Sequence, residues 1–472
     1  MVTIQRIPRL SAELFNIPID VNRYLIYAPL RKAAFIANGP LVNLLADLQE
    51  GKPPESTEAN SASIEFLRCL EILDAGPEKP PITVFEGPPC PTAVTLFLTT
   101  ACNLRCTYCY ASAGETTPRT MTEEVAKQGI DYVSANAVKK SIPAFELSFH
   151  GGGEPSVNWK TLTRAMDYAK ERARQLDITV QASSATNGML NDRQIDWTIA
   201  NLEGGVSLSF DGLPKIQDKY RPTALGKGSS GHVLHTIRRF DEANFKYGIR
   251  ITVTADQIPF LPDSIEFVCR NAQPQQIQVE PSYQMGRWQD APSAETEGFI
   301  AAFREAQERA RSLEKEIFFS AARVGTLTNH FCGVTRNTFA LSPNGNVSAC
   351  FEVFSEDNPW ASAFFYGKPA ADGSDYVFDL DTLNNLRRQA VQYKPYCAGC
   401  FAKWHCAGDC YHKALTVSGN EAFNGTSRCH ITRELTKDQI LERITAAGGI
   451  FWHEPPEPGS QDHPSDGKEI YS

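Results

Sequence analysis

Cys102-Asn-Leu-Arg-Cys106-Thr-Tyr-Cys109 places three thiols directly behind a strand-like run, Thr92 to Thr99. Three thiolates can hold three irons of a cubane iron–sulfur cluster and leave the fourth iron open. An open iron can bind and cleave a ligand, which a fully ligated cluster cannot readily do. The same three residues could instead form part of a zinc site.

A second cysteine field lies near the C-terminus. Cys332 is followed by Gly345 and Cys350, then by Cys397-x2-Cys400-x5-Cys406-x3-Cys410, and finally by Cys429. Ten of the thirteen cysteines thus fall into patterned groups. In a reducing compartment such groups read as metal ligands rather than disulfides. Cys69, Cys90 and Cys269 stand apart and read as buried small hydrophobes. A Cys-x2-Cys pair in isolation reads as a zinc ribbon, but the odd count of seven suits two interleaved clusters better than closed zinc sites.

The elements that must position these groups alternate from about residue 91 to 318. Strands are expected at Thr92–Thr99, Phe145–Phe149, Ile178–Ser183, Val206–Phe210, Ile249–Thr254 and Gln276–Glu280. Helices are expected near Thr122–Asn136, Trp159–Leu176, Asp192–Asn201, Gly231–Asn244, Pro262–Asn271 and Glu295–Lys315. Thr120-Met-Thr-Glu123 has the pattern of a capping box for the first of them. Strand then helix, six times over, argues for a parallel sheet with right-handed crossovers. Six units are too few to close the eight-stranded barrel, so an open (β/α)6 partial TIM-type barrel fits. In such a barrel the chemistry gathers where loops leave the C-terminal ends of strands. There the sequence carries His150-Gly-Gly-Gly-Glu154-Pro155, Thr186-Asn187-Gly188, Ser209-Phe-Asp211-Gly212 and, further on, Arg221.

These motifs, in this order, resemble the signature of the radical S-adenosylmethionine (SAM) enzymes, whose fold is the open barrel. The resemblance implies a [4Fe–4S] cluster on Cys102, Cys106 and Cys109 whose open iron chelates the amino and carboxylate groups of SAM. One electron from the cluster then breaks a carbon–sulfur bond and yields a 5′-deoxyadenosyl radical. Tyr108 fits the aromatic slot of the cysteine motif. Gly152, Gly153, Glu154 and Pro155 match the Gly-Gly-Glu-Pro segment implied to bind the SAM amino group. Thr186, Asn187, Ser209 and Asp211 match positions around its ribose and methionine parts. Arg221 matches an arginine that pairs with the SAM carboxylate, for which a guanidinium fork is suited.

The C-terminal field resembles the SPASM extension of radical SAM enzymes that modify peptides and proteins. Carried onto this chain, the resemblance assigns Cys332, Cys350 and Cys410 to one auxiliary [4Fe–4S] cluster. It assigns Cys397, Cys400, Cys406 and Cys429 to a second. The first set has only three thiols, so its fourth iron is open or is filled by His330 or another side chain. Auxiliary clusters offer an exit for the second electron of an oxidative coupling.

Residues 1–90 read as a small α+β module. The hairpin Tyr24–Tyr27 with Ala33–Ile36 is followed by helices near Leu41–Gln49 and Ser63–Leu73. This order resembles peptide-recognition elements; the plainer reading is a packing cap. The proline-rich run Pro77–Pro91 reads as a linker. Residues 319–450 form a loop-rich cluster domain with a closing helix near Thr432–Ala447. Residues 451–472 read as a disordered tail.

The expected function is oxidative modification of a ribosomally made precursor peptide, most readily a carbon–carbon or carbon–sulfur cross-link, with a flavodoxin or ferredoxin as reductant. The alternative is sulfatase-type formylglycine formation. Those relatives carry an aspartate base after the cysteine matching Cys350, whereas this chain has Phe351, with Glu352 next as a base candidate. A non-enzyme alternative is an electron-transfer protein. A net charge of −9 over 472 residues gives no reason to expect nucleic-acid or membrane attraction. No apolar run or signal segment is evident, so a cytoplasmic protein is expected.

Overall fold

The computed structural model describes residues 8–452 apart from 116, 289–294, 372, 374 and 420–422. Three short strands open the chain: β1 (Phe15–Pro18), β2 (Tyr24–Ala28) and β3 (Ala33–Ala37). β2 and β3 form the expected antiparallel hairpin, with Tyr24 opposite Ala37 and Ala28 opposite Ala33. Lys32 closes its turn in a left-handed conformation at φ 52°. The helices Gly39–Gln49 and Glu58–Cys69 cover one face. Leu44, Leu45, Leu48 and Leu67 are buried there against Ile26 and Phe35. The second helix starts earlier than the sequence suggested, capped by Thr57, and stops at Cys69 rather than Leu73.

The barrel strands follow as β4 (Ala93–Leu96), β5 (Ala144–Phe149), β6 (Thr179–Thr186), β7 (Gly205–Ser209), β8 (Tyr247–Val253) and β9 (Gln276–Pro281). All five neighbouring pairs among them are parallel. The helices Glu123–Lys139, Trp159–Gln175, Asp192–Asn201, Ser230–Glu242, Leu261–Asn271 and Thr296–Ser312 agree with the sequence to within a few residues. Thr122 alone caps the first, accepting from the Val125 amide at 3.4 Å, in place of the expected box. A further short helix, Pro214–Tyr220, precedes Arg221 and lacks a periodic signal long enough to notice.

One face of each strand is apolar. Val94, Leu96, Phe145, Leu147, Phe149, Val206, Leu208, Ile249, Ile251, Ile277 and Val279 pack into the main core with the helices. Strand alternation sends their neighbours to the other face, which carries Ser148, Ser207, Ser209, Arg250, Thr252, Gln278 and Glu280. The barrel interior is therefore polar, unlike the filled core of a closed barrel.

The boundary expected at 318 does not interrupt the sheet. β10 (Ile317–Phe318) extends it beyond β9. β11 (Ala340–Leu341) adds in parallel to β4, followed by antiparallel β12 (Val347–Ser348), β13 (Phe365–Pro369) and β14 (Tyr376–Phe378). The result is one open sheet ordered β10-β9-β8-β7-β6-β5-β4-β11-β12-β13-β14. The cysteine region is thus stitched onto the edge of the barrel that carries Cys102.

The closing helix spans Ser427–Ala446 and takes in Cys429, five residues earlier than the apolar pattern indicated. The tail expectation fails at its start. β15 (Ile450–Trp452) pairs with β3, Phe451 opposite Ala34; the rest of that tail lies outside the described residues. The leading module also packs on the cysteine block. Tyr27 bonds His405 at 2.5 Å, and Glu13 meets the Trp404 indole N–H and the Lys403 ammonium. Among the described residues no helix is long and apolar enough to cross a membrane.

Candidate active site

Cys102, Cys106 and Cys109 leave β4 in a loop held by its own backbone and by two arginines. Arg105 Nη1 donates to the Cys102 and Leu104 carbonyls, each at 2.8 Å. Arg287 donates to the Cys106 and Ala113 carbonyls and pairs with Glu115. Gly286, at φ 54°, lies so close to the Cys109 and Tyr110 carbonyls that no side chain fits. Nothing in the sequence marks this strap, because it comes from a loop far along the chain and its glycine stands alone.

The three thiols act on one another. Burial pushes Cys102 up to about 12, with added repulsion from Glu154, Cys106 and Cys109. Burial likewise raises Cys106 to about 11, while Arg221 opposes the rise. Crowded, buried thiols of this kind stay protonated until a metal takes the charge.

The glycine run does more than approach a ligand. Gly153 donates to the Thr99 carbonyl and Glu154 to that of Ala101, both at 2.9 Å, which zips the run to the start of the cysteine loop. A Cβ at Gly153 would collide with the Ala101 carbonyl oxygen. Gly153→Ala is therefore expected to cost about 1–3 kcal/mol as an overpacked site. Iron retention after anaerobic reconstitution, measured beside a denaturation curve, checks it; wild-type values for both would show that the loop yields freely.

Glu154 is 3% exposed and spends its carboxylate on the chain. It accepts from Thr186 Oγ1 at 2.9 Å, the Asn187 amide at 2.8 Å and the Ser156 amide at 3.1 Å. Burial nevertheless holds its pKa above the ordinary value. Asn187 turns back to the loop, donating from Nδ2 to Asn103 at 2.7 Å and toward Cys102 Sγ at 3.7 Å. Pro155 begins a short turn, Pro155–Asn158, that this network anchors. The ends of β4, β5 and β6 are thereby locked together.

On the other side Tyr108 donates to Asp211, and Arg221 Nη1 donates to the Tyr108 oxygen at 3.0 Å. Asp211 also accepts from the Thr252 amide at 3.3 Å and is 1% exposed. Its pKa is raised, by burial first, against the pull of Arg221. Arg221 Nε is buried without a partner, an open donor in a site where a carboxylate would satisfy it. Ser209 ends β7 beside this group.

Among the C-terminal thiols, two groups lie within electrostatic reach of one another. Cys332 and Cys410 act on Cys350, which burial, then Glu352, raises well above its ordinary value. Cys429, Cys397 and Cys400 act on Cys406. Cys397 itself rises to about 11 through burial. His330 is no candidate for the fourth position of the first set, because its ring nitrogens bond Thr335 Oγ1 at 2.8 Å and the Thr83 carbonyl at 2.9 Å. Among the described residues no three His, Cys, Asp or Glu side chains converge on a single-ion position. The donor chemistry, thiols alone in sets of three, three and four, fits cubane clusters.

Glu352, the base candidate in the sequence, is not poised to take a proton. Burial raises its pKa, but Lys413 and His412 outweigh burial and hold it well below the carboxylate range. His412 Nδ1 donates to it at 2.8 Å. The Cys350 segment also packs on the first site. Phe351 meets Phe97 edge-on at 6.3 Å, Phe354 meets Tyr110 at 6.3 Å, and Gly152 lies against Phe354.

Residues 96–264 match the family model of the radical SAM superfamily. Mycofactocin maturase MftC of Mycolicibacterium smegmatis is 27% identical over 69% of this chain and 79% of its own. An uncharacterized protein, MJ0907, of Methanocaldococcus jannaschii is 31% identical over 37% of this chain, and the match spans only 57% of that protein. The structure of native anSMEcpe with bound AdoMet superposes with a TM-score of 0.58 at 16% identity, covering 75% of this chain and 99% of the other. The fold, the three-thiol loop and these likenesses agree: residues 96–264 are a radical SAM domain, followed in this chain by a cysteine-rich C-terminal region.

Proposed function

We propose that this protein is a radical SAM maturase that oxidises a ribosomally made precursor peptide, forming a carbon–carbon or carbon–sulfur cross-link. The observation that carries this reading is the contact between the two cysteine fields. Phe351 and Phe354, just after Cys350, rest on the Cys109 loop and the glycine run. An electron acceptor on Cys332, Cys350 and Cys410 would then lie beside the first site, as a coupling with net oxidation requires. When bound, the cluster and SAM supply a 5′-deoxyadenosyl radical that abstracts a hydrogen atom. The chain's own part is placement. Cys102, Cys106 and Cys109 would hold the cluster. Arg221, oriented by Tyr108 and Asp211, would hold the SAM carboxylate, and Gly152, Gly153 and Pro155 would line its amino group. Glu154 and Asn187 keep these loops fixed and dry.

Formylglycine formation is the second reading. It needs a base beside the cysteine matching Cys350. Phe351 cannot serve, and Glu352, tied to His412 and Lys413, is a weak one. The partners under the main reading are a short precursor peptide and a low-potential reductant such as flavodoxin or ferredoxin.

The test uses anaerobically reconstituted protein with SAM, dithionite and the peptide encoded beside its gene. The expected result is 5′-deoxyadenosine together with a peptide that has lost hydrogen and whose fragment spectra join two residues. A carbonyl on a single residue, trapped by hydrazide, would favour formylglycine. No 5′-deoxyadenosine with all clusters present would favour an electron carrier.

A further inference from the structure

The polar interior of the barrel contains one cation without a task. Arg250 lies in the middle of β8. Its neighbours Ile249 and Ile251 face the helices and are buried in the main core, so Arg250 faces the interior. It stands opposite Ser209 on β7 and Gln278 on β9. Two residues along, the Thr252 amide holds Asp211, so Arg250 lies one layer beneath the Tyr108–Asp211–Arg221 group.

Among the described residues, the neighbouring charged side chains have partners. Glu280 and Asp409 pair with Arg428 at 2.8 and 2.9 Å. Glu352 pairs with His412 at 2.8 Å, with Lys413 at 3.9 Å. Asp211 holds Tyr108. Among the described residues, the Arg250 guanidinium has no hydrogen bond or ion pair. It is only half-buried, and a group of this kind is retained inside a protein at a desolvation cost unless something binds it. Its charge reaches His150, Tyr110, Glu280 and Glu352, groups that belong to the barrel interior, the first cysteine loop and the Cys350 segment.

A second unsatisfied group faces the same space. His150 follows β5, and its Nδ1 is buried without a partner. Its ring lies 5.0 Å from that of Phe351. Burial and the charge of Arg250 lower its pKa to about 4, so near neutral pH it is an uncharged imidazole with one nitrogen to spare. A planar guanidinium presents a fork of donors that matches a carboxylate. A neutral imidazole can bond an adjacent amide. Together they match a peptide residue bearing a carboxylate, set between the place of hydrogen abstraction and the place where an electron would leave.

We propose that Arg250, with His150 on the same interior face of the sheet, is a substrate-docking point that binds a carboxylate of the peptide, either an acidic side chain or the C-terminus. The inference rests on the peptide-maturase reading above and adds what the peptide must offer. Arg250 positions the substrate; it takes no part in bond making.

The test measures binding to the anaerobic, cluster-loaded protein in the presence of SAM. Three capped probe peptides are compared: N-acetyl-Gly-Glu-Gly-amide, its Gln counterpart, and N-acetyl-triglycine with a free C-terminus. Wild type is expected to prefer the carboxylate probes over the Gln probe. Arg250→Gln should weaken them by about tenfold or more, the loss of one charge-assisted pair, while SAM binds both proteins alike. The preferred carboxylate probe tells side chain from C-terminus. Because Arg250 holds no other residue, the variant should fold; Arg250→Lys, which keeps the charge and loses the fork, is the second variant and should fall between the two.

Three outcomes overturn the proposal. One is equal binding of carboxylate and amide probes to wild type, or no binding of either at millimolar concentration. Another is carboxylate binding that survives in both variants. The third is a loss of SAM affinity in Arg250→Gln, which would assign the guanidinium to the carboxylate of SAM. Failure of the maturase reading is seen separately, as an unmodified precursor in the mass spectrum.

Discussion

Arg428→Ala is expected to destabilise the folded protein by about 3–5 kcal/mol, the cost of stranding buried carboxylates. Arg428 is 1% exposed. Its Nε faces both Asp409 oxygens at 2.9 Å, Nη1 meets Glu280 at 2.8 Å and Tyr283, and Nη2 reaches Ser320 at 3.1 Å. The guanidinium also lies over the Phe319 and Tyr283 rings, 4.6 and 5.3 Å from their centroids. Burial alone would raise Glu280, yet Arg428 leads the opposing charges and brings it down to about 2. One side chain thus ties β9 of the barrel to Asp409, next to Cys410, and through its own backbone to Cys429. Loss of the pair should loosen both auxiliary thiol sets at once. Denaturant midpoints and iron per chain of the anaerobic protein read the two effects. Combining Arg428→Met with Glu280→Gln and Asp409→Asn should recover much of the stability, because the penalty comes from unpaired charge rather than lost volume. A wild-type midpoint for Arg428→Ala would refute the account of this network.

The barrel was legible because its signals are local. Alternation within β5 and β8, and apolar periodicity in helices such as Asp192–Asn201, are set by residues a few positions apart. The thiol sets were legible for the same reason, since Cys102, Cys106 and Cys109 share one loop and Cys397 to Cys410 another. What escaped was long-range. β10 and β11 have two residues each and exist only because β9 and β4 offer an edge, and the equally short β12 pairs in turn with β11 and β13. β15 is three residues that form a strand on β3, more than four hundred positions away. The roles of polar residues escaped as well. Glu154 reads in sequence as a ligand-binding carboxylate, but the fold consumes it on Thr186, Asn187 and Ser156. Glu352 reads as a base until His412 and Lys413 arrive from a distant helix. Such partners decide whether a charge is free, and no spacing within one segment encodes them. Arg250 is the converse: nothing around it in sequence marks it, and only the partners of its neighbours reveal that it has none among the described residues.

Replacing Cys102, Cys106 and Cys109 together by Ala is expected to remove about four irons per chain, the content of one [4Fe–4S] cluster, and to abolish SAM cleavage. The charges of Cys106 and Cys109 fall on Cys102, and Glu154 adds to their repulsion. The loop around them is held by Arg105, Arg287, Gly153 and Asn187, none of which is a thiol. Its backbone should therefore survive the substitution, and any iron that Cys332, Cys350, Cys410 and Cys397, Cys400, Cys406, Cys429 would hold should remain. Cys69, exposed rather than buried as expected and outside the patterned groups, supplies the control: Cys69→Ala should retain full iron and full cleavage. Iron and sulfide assays, with 5′-deoxyadenosine measured after addition of SAM and dithionite, read the outcome. Complete loss of iron would mean that the clusters assemble as one cooperative unit. Cleavage persisting in the triple variant would place the SAM site elsewhere and remove the basis for reading Tyr108, Asp211 and Arg221 as its walls.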